Sequence, residues 1–204
     1  MGIHRAWPAL AAAAATLLAG LATSVGQARP AAAPTRYSVT ETLFLVVEGQ
    51  VMKIGRDGPR AVIEQTLPAN AGSPAGVRSR AYYDLKASLS YTLDLIDPAT
   101  PCAPSRFTGE WGDPFAMSAD LIAQMAKFHP RDAGSATVNG LAAEVSVATT
   151  SDGEARFWVE PKTGLIVKWV MTPPHGSPRT MIEVTSLSLT PPPPAALALP
   201  AKCA

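Results

Sequence analysis

The feature that most constrains this chain is an alternation of apolar and polar residues with a period of two, repeated along most of its length. Leu89, Tyr91, Leu93 and Leu95 alternate with Ser90, Thr92 and Asp94. Val77, Ala81, Tyr83 and Leu85 alternate with Arg78, Arg80, Asp84 and Lys86, and Val39, Leu43, Leu45 and Val47 with Ser38, Thr40 and Thr42. Leu141, Ala143, Val145 and Val147 form a further set, followed by Phe157 and Val159 and then by Leu165, Val167, Trp169 and Met171. Successive side chains on a strand point to opposite faces, so each set describes a strand with one buried face. The last run, Met181 to Leu189, is rich in β-branched residues, which suit a pleated surface.

Turn residues fall between these runs. Asp57-Gly58 separates Val51–Arg56 from Arg60–Leu67, and Asp-Gly is a strong signal for a type I′ hairpin. Glu48-Gly49, Asp152-Gly153 and Lys162-Thr163-Gly164 punctuate the other strands. The pattern predicts a mainly β (α+β) fold: a strongly curved antiparallel sheet, or an unclosed β-barrel, of about nine to ten strands with one or two short helices.

One segment departs from period two. Ser118 reads as a helix N-cap, with Asp120 in the first turn and an apolar stripe of Leu121, Ile122, Met125 and Phe128. His129-Pro130 ends it, because the residue before proline avoids helical dihedrals. Ahead of it, Asp97 to Phe115 carries Pro98, Pro101, Pro104 and Pro114 and reads as an ordered surface loop, or alternatively as a lid over a cavity.

Residues 1–28 read as a secretory signal peptide cleaved after Ala28, with cleavage nearer Ser24 or an uncleaved membrane anchor as the alternatives. A short basic start at His4 and Arg5 precedes the apolar run Ala9–Ala22, and Gly26-Gln27-Ala28 places small residues around a cleavage point. A run of that length falls short of the roughly 20 residues that span a bilayer, so the mature chain is expected to have no membrane span. No cysteine follows the run, so there is no lipobox. Residues 29–36 are a Pro/Ala-rich leader expected to be disordered, and residues 37–204 are expected to form a single β domain. The expected location is periplasmic or secreted.

Both cysteines, Cys102 and Cys203, survive processing. In an exported chain the simplest expectation is one disulfide, which on the chain-entropy model stabilises a loop of this size by up to about 4–5 kcal/mol. A metal pair or a reactive thiol are the alternatives. No histidine neighbours either cysteine in sequence, and no C-x-x-C occurs.

Composition narrows the function. Seventeen basic residues against sixteen acidic ones leave no electrostatic footprint for nucleic acid. Removal of the signal peptide deletes Arg5 and brings the count to sixteen of each. The histidines outside it, His129 and His175, sit in a helix end and in a Pro-Pro-His-Gly turn. There is no G-x-S-x-G, no H-E-x-x-H and no glycine-rich phosphate loop. No catalytic residue, metal site or cofactor is expected, and the chain reads as a non-enzyme.

Several strands are apolar on both faces, for example at Phe44-Leu45 and Ile166-Val167. A curved sheet with one short helix must fill its concave face with side chains or with ligand. Two readings stay open: an ordinary closed core, or a hydrophobic groove able to take an acyl chain.

Several local motifs bear on this choice. They are Arg56-Asp-Gly-Pro-Arg60, Tyr82-Tyr-Asp-Leu-Lys86 with Tyr91-Thr-Leu-Asp94, Val138-Asn-Gly140, Phe157-Trp-Val-Glu-Pro-Lys-Thr-Gly-Leu165 with Lys168, and the finish Pro191–Pro200. Together they resemble the LolA-like and LolB-like superfamily of periplasmic lipoprotein carriers across most of residues 37–200. The resemblance implies an unclosed β-barrel capped by helices, with a hydrophobic cavity for lipid acyl chains. The expected partner is then a lipid or lipoprotein acyl chain, bound without chemistry at about 0.8 kcal/mol per buried CH₂. The expected lining is Leu43, Leu45, Tyr83, Tyr91, Leu93, Leu95, Phe157 and Trp169, with Trp111 and Phe115 at the mouth. The alternative is a structural or interaction module of the cell envelope whose core is filled by its own side chains.

Overall fold

The computed structural model describes residues 32–44, 49–70 and 74–203. Eleven strands run in chain order: β1 (Arg36–Leu43), β2 (Gln50–Asp57), β3 (Arg60–Leu67), β4 (Val77–Asp84), β5 (Leu89–Asp94), β6 (Pro104–Arg106), β7 (Arg131–Val138), β8 (Leu141–Thr150), β9 (Gly153–Val159), β10 (Ile166–Thr172) and β11 (Arg179–Ser188). Helix α1 (Pro114–Ala126) lies between β6 and β7; a short helix, α2 (Pro194–Leu197), and a 3-10 turn (Ala201–Cys203) follow β11. The expected signal peptide and Leu45 fall outside the described residues, and so do the first three residues of the expected leader. The end of that leader is ordered: Arg36 opens β1 and bonds Asp57 at 2.9 Å.

All neighbours in the sheet are antiparallel, in the order β6-β5-β4-β3-β2-β1-β11-β10-β9-β8-β7. The sheet is curved and does not close: β6 and β7 are its two edges. Register shifts at Thr40/Glu41, Ile166/Lys168 and Trp169/Val170 fall in the central ladders, where bulges raise the local bend and twist. The expected class is therefore correct, with eleven strands in place of nine or ten. The two unforeseen strands are the edges. β6 has three residues and contains a proline, and β7 carries small side chains exposed almost throughout, so neither shows period two.

The Asp57-Gly58 hairpin forms in the expected place with a different turn. Asp57 pairs with Arg60, so the loop is Gly58-Pro59. Only Gly58 takes a positive φ (58°), and Pro59 cannot; this is the type II′ pattern, not type I′. The I′ pattern occurs at Asn139-Gly140, with φ of 49° and 83°, between β7 and β8.

Helix α1 starts four residues earlier than Ser118. Asp113 is the N-cap, its carboxylate accepting the Phe115 N–H at 3.0 Å, and Pro114 occupies the first helical position. Ser118 sits inside the helix and donates to the Pro114 carbonyl at 2.7 Å. The helix ends at Ala126, and the expected apolar stripe divides: Leu121 and Met125 pack on the sheet, whereas Ile122 and Phe128 are exposed.

Candidate functional site

Call the face that α1 covers the inner face. Its core joins Tyr37, Val39, Ile54 and Ile63 to Phe115, Leu165, Val167 and Val184, with Tyr83 and Trp111 packed at the margin. Strand alternation aims these side chains inward, and α1 arrives through two polar anchors. Arg56 on β2 donates to the Asp113 carboxylate at 2.7 Å, with both side chains largely buried. Ser118 accepts the Ile166 N–H at 3.0 Å, at the β10 bulge. Around the first anchor, Arg56 lies over the Trp111 ring at 5.8 Å, and Phe115 meets Tyr37 edge-on at 4.7 Å. The Tyr37 hydroxyl is buried beside Asp113 and Arg56 without a well-formed hydrogen bond; burial above all raises its pKa.

The expected lining residues separate into three groups. Leu43, Trp169 and Phe157 stand in one row: Leu43 faces Ile182, Ile182 faces Trp169, and Trp169 faces Phe157. The Phe157 and Trp169 rings stack at 5.5 Å. Around Phe157 and Ile166, five side chains (Leu121, Met125, Val159, Trp169 and Met171) are only partly buried. The Trp169 indole N–H is enclosed without an acceptor. Tyr83, Trp111 and Phe115 form the second group, with Tyr83 at 5.5 Å from the rings of both Trp111 and Phe107. Burial raises the pKa of Tyr83.

Tyr91 and Leu93 do not share the inner face with Tyr83. The β4–β5 register sets Tyr82 opposite Tyr91 and Arg80 opposite Leu93, and Tyr83 opposite Ser90. Tyr91 and Leu93 therefore point outward, and Tyr91 joins Val62, Tyr82, Leu197 and Leu199 in a separate cluster. Leu95 lies just past β5, its N–H donating to the Arg78 carbonyl at 2.9 Å. The expected single lining placed all four in one row; the loop between β4 and β5 inverts their phase.

Two surface depressions, of about 360 and 460 Å³, are bordered by a mixture of polar and small apolar side chains, such as Ser79, Thr92, Ala103 and Ser105 in one and Ser135, Ala136, Ala142 and Glu144 in the other. None of the expected lining residues borders either one. Among the described residues no three His, Cys, Asp or Glu side chains converge on a metal position, and no helix is long and apolar enough to cross a membrane.

Three residues escaped the sequence reading. Asp113-Pro114 carries the N-cap-then-proline signal that marks the true helix start. Arg56 is its partner, which only the fold brings near. Glu41 occupies the apolar phase of β1, between Val39 and Leu43, and is 2% exposed. Its ladder neighbours are Met52 and Val184, and burial raises its carboxyl to about 7. Cys102 and Cys203 are joined, as expected, with Cα atoms 4.9 Å apart.

An open, eleven-stranded antiparallel sheet with a helix laid on its inner face defines a LolA-like fold. Solved structures agree. The chain is similar to MucB at 16% identity, with a TM-score of 0.50, covering 83% of this chain and 58% of that one. It is similar to MucB in the Pseudomonas aeruginosa MucA/MucB complex (17% identity, TM-score 0.52, 83% and 57% covered) and in a complex with MucA(peri) (17%, 0.51, 82% and 55%). The chain thus spans little more than half of the MucB chains, and the likeness establishes the fold. No protein-family model and no curated protein matches the sequence.

Proposed function

We propose that this protein is an exported, non-enzymatic binding module of the cell envelope, acting in the periplasm. An N-terminal stretch that reads as a signal peptide, the single disulfide and the fold shared with MucB support that setting. The binding surface is the strip where α1 meets β9–β11. The observation that carries this reading is the half-covered row of Leu121, Met125, Trp169 and Met171 over buried Phe157 and Ile166; fully buried Ile182 stands between Trp169 and half-buried Leu43. An acyl chain of a lipid or lipoprotein fits the chemistry of that strip, with each buried CH₂ contributing about 0.8 kcal/mol. Tyr83, Trp111 and Phe115 then hold α1 in place and do not line the ligand. Titration of delipidated mature protein with a fluorescent fatty acid should give saturable binding that Trp169→Ala weakens; absence of saturation would sink the acyl-chain reading.

A second occupant, a protein partner, is favoured by two observations. The inner core is filled by the protein's own Tyr37, Phe115, Ile63 and Leu165. MucB, similar in fold, has been captured in complex with MucA. Under this reading the same strip docks an apolar segment of a partner chain, and purified protein carries no lipid in native mass spectrometry.

A further inference from the structure

After β11 the chain does not return to the sheet as a strand. It crosses the outer face of five strands in turn. The Ser38 hydroxyl on β1 donates to the Thr190 carbonyl at 3.3 Å. Pro192 then lies so close over Gly55 on β2 that a Cβ there would approach its ring to 2.7 Å. Leu197 and Leu199 pack on Val62 of β3, Tyr82 of β4 and Tyr91 of β5. Lys202 donates to the Pro98 carbonyl at 3.1 Å, and Cys203 closes the path on Cys102. Among the described residues, the hydrogen bonds that tie this strap to the rest of the protein lie at its two ends. Its middle begins with four consecutive prolines, Pro191–Pro194, which cannot donate backbone hydrogen bonds. It is held by ring and leucine packing and by one covalent bond.

Those contacts describe a recognition groove. A glycine floor admits a proline ring, and two tyrosines directly opposite one another flank the leucine positions. Grooves lined by aromatic side chains take proline-rich extended segments because such segments lose little entropy on binding; here the extended part is the proline run ahead of α2, and α2 carries Leu197 onto the tyrosines. Tyrosine is also enriched where proteins meet. We infer that the outer face of β2–β5 is a docking groove for a proline-rich, leucine-bearing segment, occupied in cis by Pro191–Leu199 and latched by Cys102–Cys203. The residue at the loop end of the latch, Cys102, is only partly buried, which leaves it open to a dithiol. A dithiol delivers two electrons and two protons to the bond, giving the two thiols and its own cyclic disulfide. The inference is independent of the occupant of the inner face.

The test uses the full mature chain, oxidised and after dithiothreitol. Reduction should raise amide exchange across residues 190–203 at least tenfold while β1–β4 and β8–β11 keep their protection. A labelled peptide spanning residues 190–200 should then bind the reduced protein saturably and the oxidised protein not at all. Tyr82→Ala and Gly55→Val should each weaken peptide binding at least tenfold. Loss of protection in the sheet together with the strap would make the disulfide a staple and overturn the latch. So would a strap that stays protected after reduction, or a peptide that binds both forms equally or neither.

Discussion

The inner face under α1 and the outer face under the strap are both apolar over β3 and β4, but they are closed by different physics. On the inner face the cover is set by directional bonds: Arg56 to Asp113, and Ser118 to the Ile166 N–H. On the outer face the cover is a pair of leucines, a proline ring and a disulfide. A buried ion pair adds little net stability over apolar packing, but removing one partner strands the other, so it fixes where the helix must sit. Apolar packing has no preferred direction and can re-form around a displaced cover. The inner cover is therefore positioned to the ångström, and the outer one is removable in principle once its latch is opened.

The sharpest way to break the contrast is Arg56→Met, which leaves Asp113 buried without its cation. It should cost about 3–5 kcal/mol in urea unfolding. A cost below about 1 kcal/mol would mean that α1 is held by packing alone. Next comes Glu41→Gln. The folded carboxyl is raised by burial to about 7. A raised carboxyl contributes its stability in full below its unfolded value and loses it as pH climbs through the folded one. Wild type should lose roughly 2–3 kcal/mol between pH 5 and pH 8.5, and the glutamine variant should flatten that slope. Leu197→Ala tests the outer cover: about 2 kcal/mol, at the low end for a buried leucine because the strap can settle. The smallest effect belongs to Trp169→Phe. It removes an enclosed donor that has no acceptor, so thermal melts should shift by less than about 1 kcal/mol in either direction.

How much was legible follows the same division. Period two located six of the strands, because each has one face against a core; the Asp57-Gly58 turn located β2 and β3, and β-branched composition located β11. Period two missed β7, whose side chains face solvent on nearly every position and so carry no phase. The helix was found by its apolar stripe but entered at the wrong residue. Ser118 and Asp113 are both good caps locally; the proline after Asp113 favours the earlier start, and the Arg56 guanidinium and the Ile166 N–H fix it by engaging Asp113 and Ser118 in their observed places. The largest loss was in the site. Tyr83, Tyr91 and Leu93 each have the alternation of an inward-facing residue. The Asp84–Leu89 pairing puts Tyr83 on one side of the sheet and Tyr91 and Leu93 on the other. A one-residue difference in register exchanges the faces, and no single strand encodes its register with its neighbour.

From the sequence alone come the strand periodicity, most of the turns, the existence of one helix, the cysteine pair and the absence of recognised enzymatic motifs. These are local properties, decided by backbone dihedrals and by which side chains avoid water. The tertiary structure decided which strand faces meet, that Glu41 is buried and Arg56 partly so, and that the proline-rich finish is a strap across the outer face. Each of those depends on residues brought together from distant parts of the chain, as Arg56 and Asp113 are across 57 positions. Local periodicity carries no information on such pairings, because their energies exist only once the sheet has chosen its register and its bend.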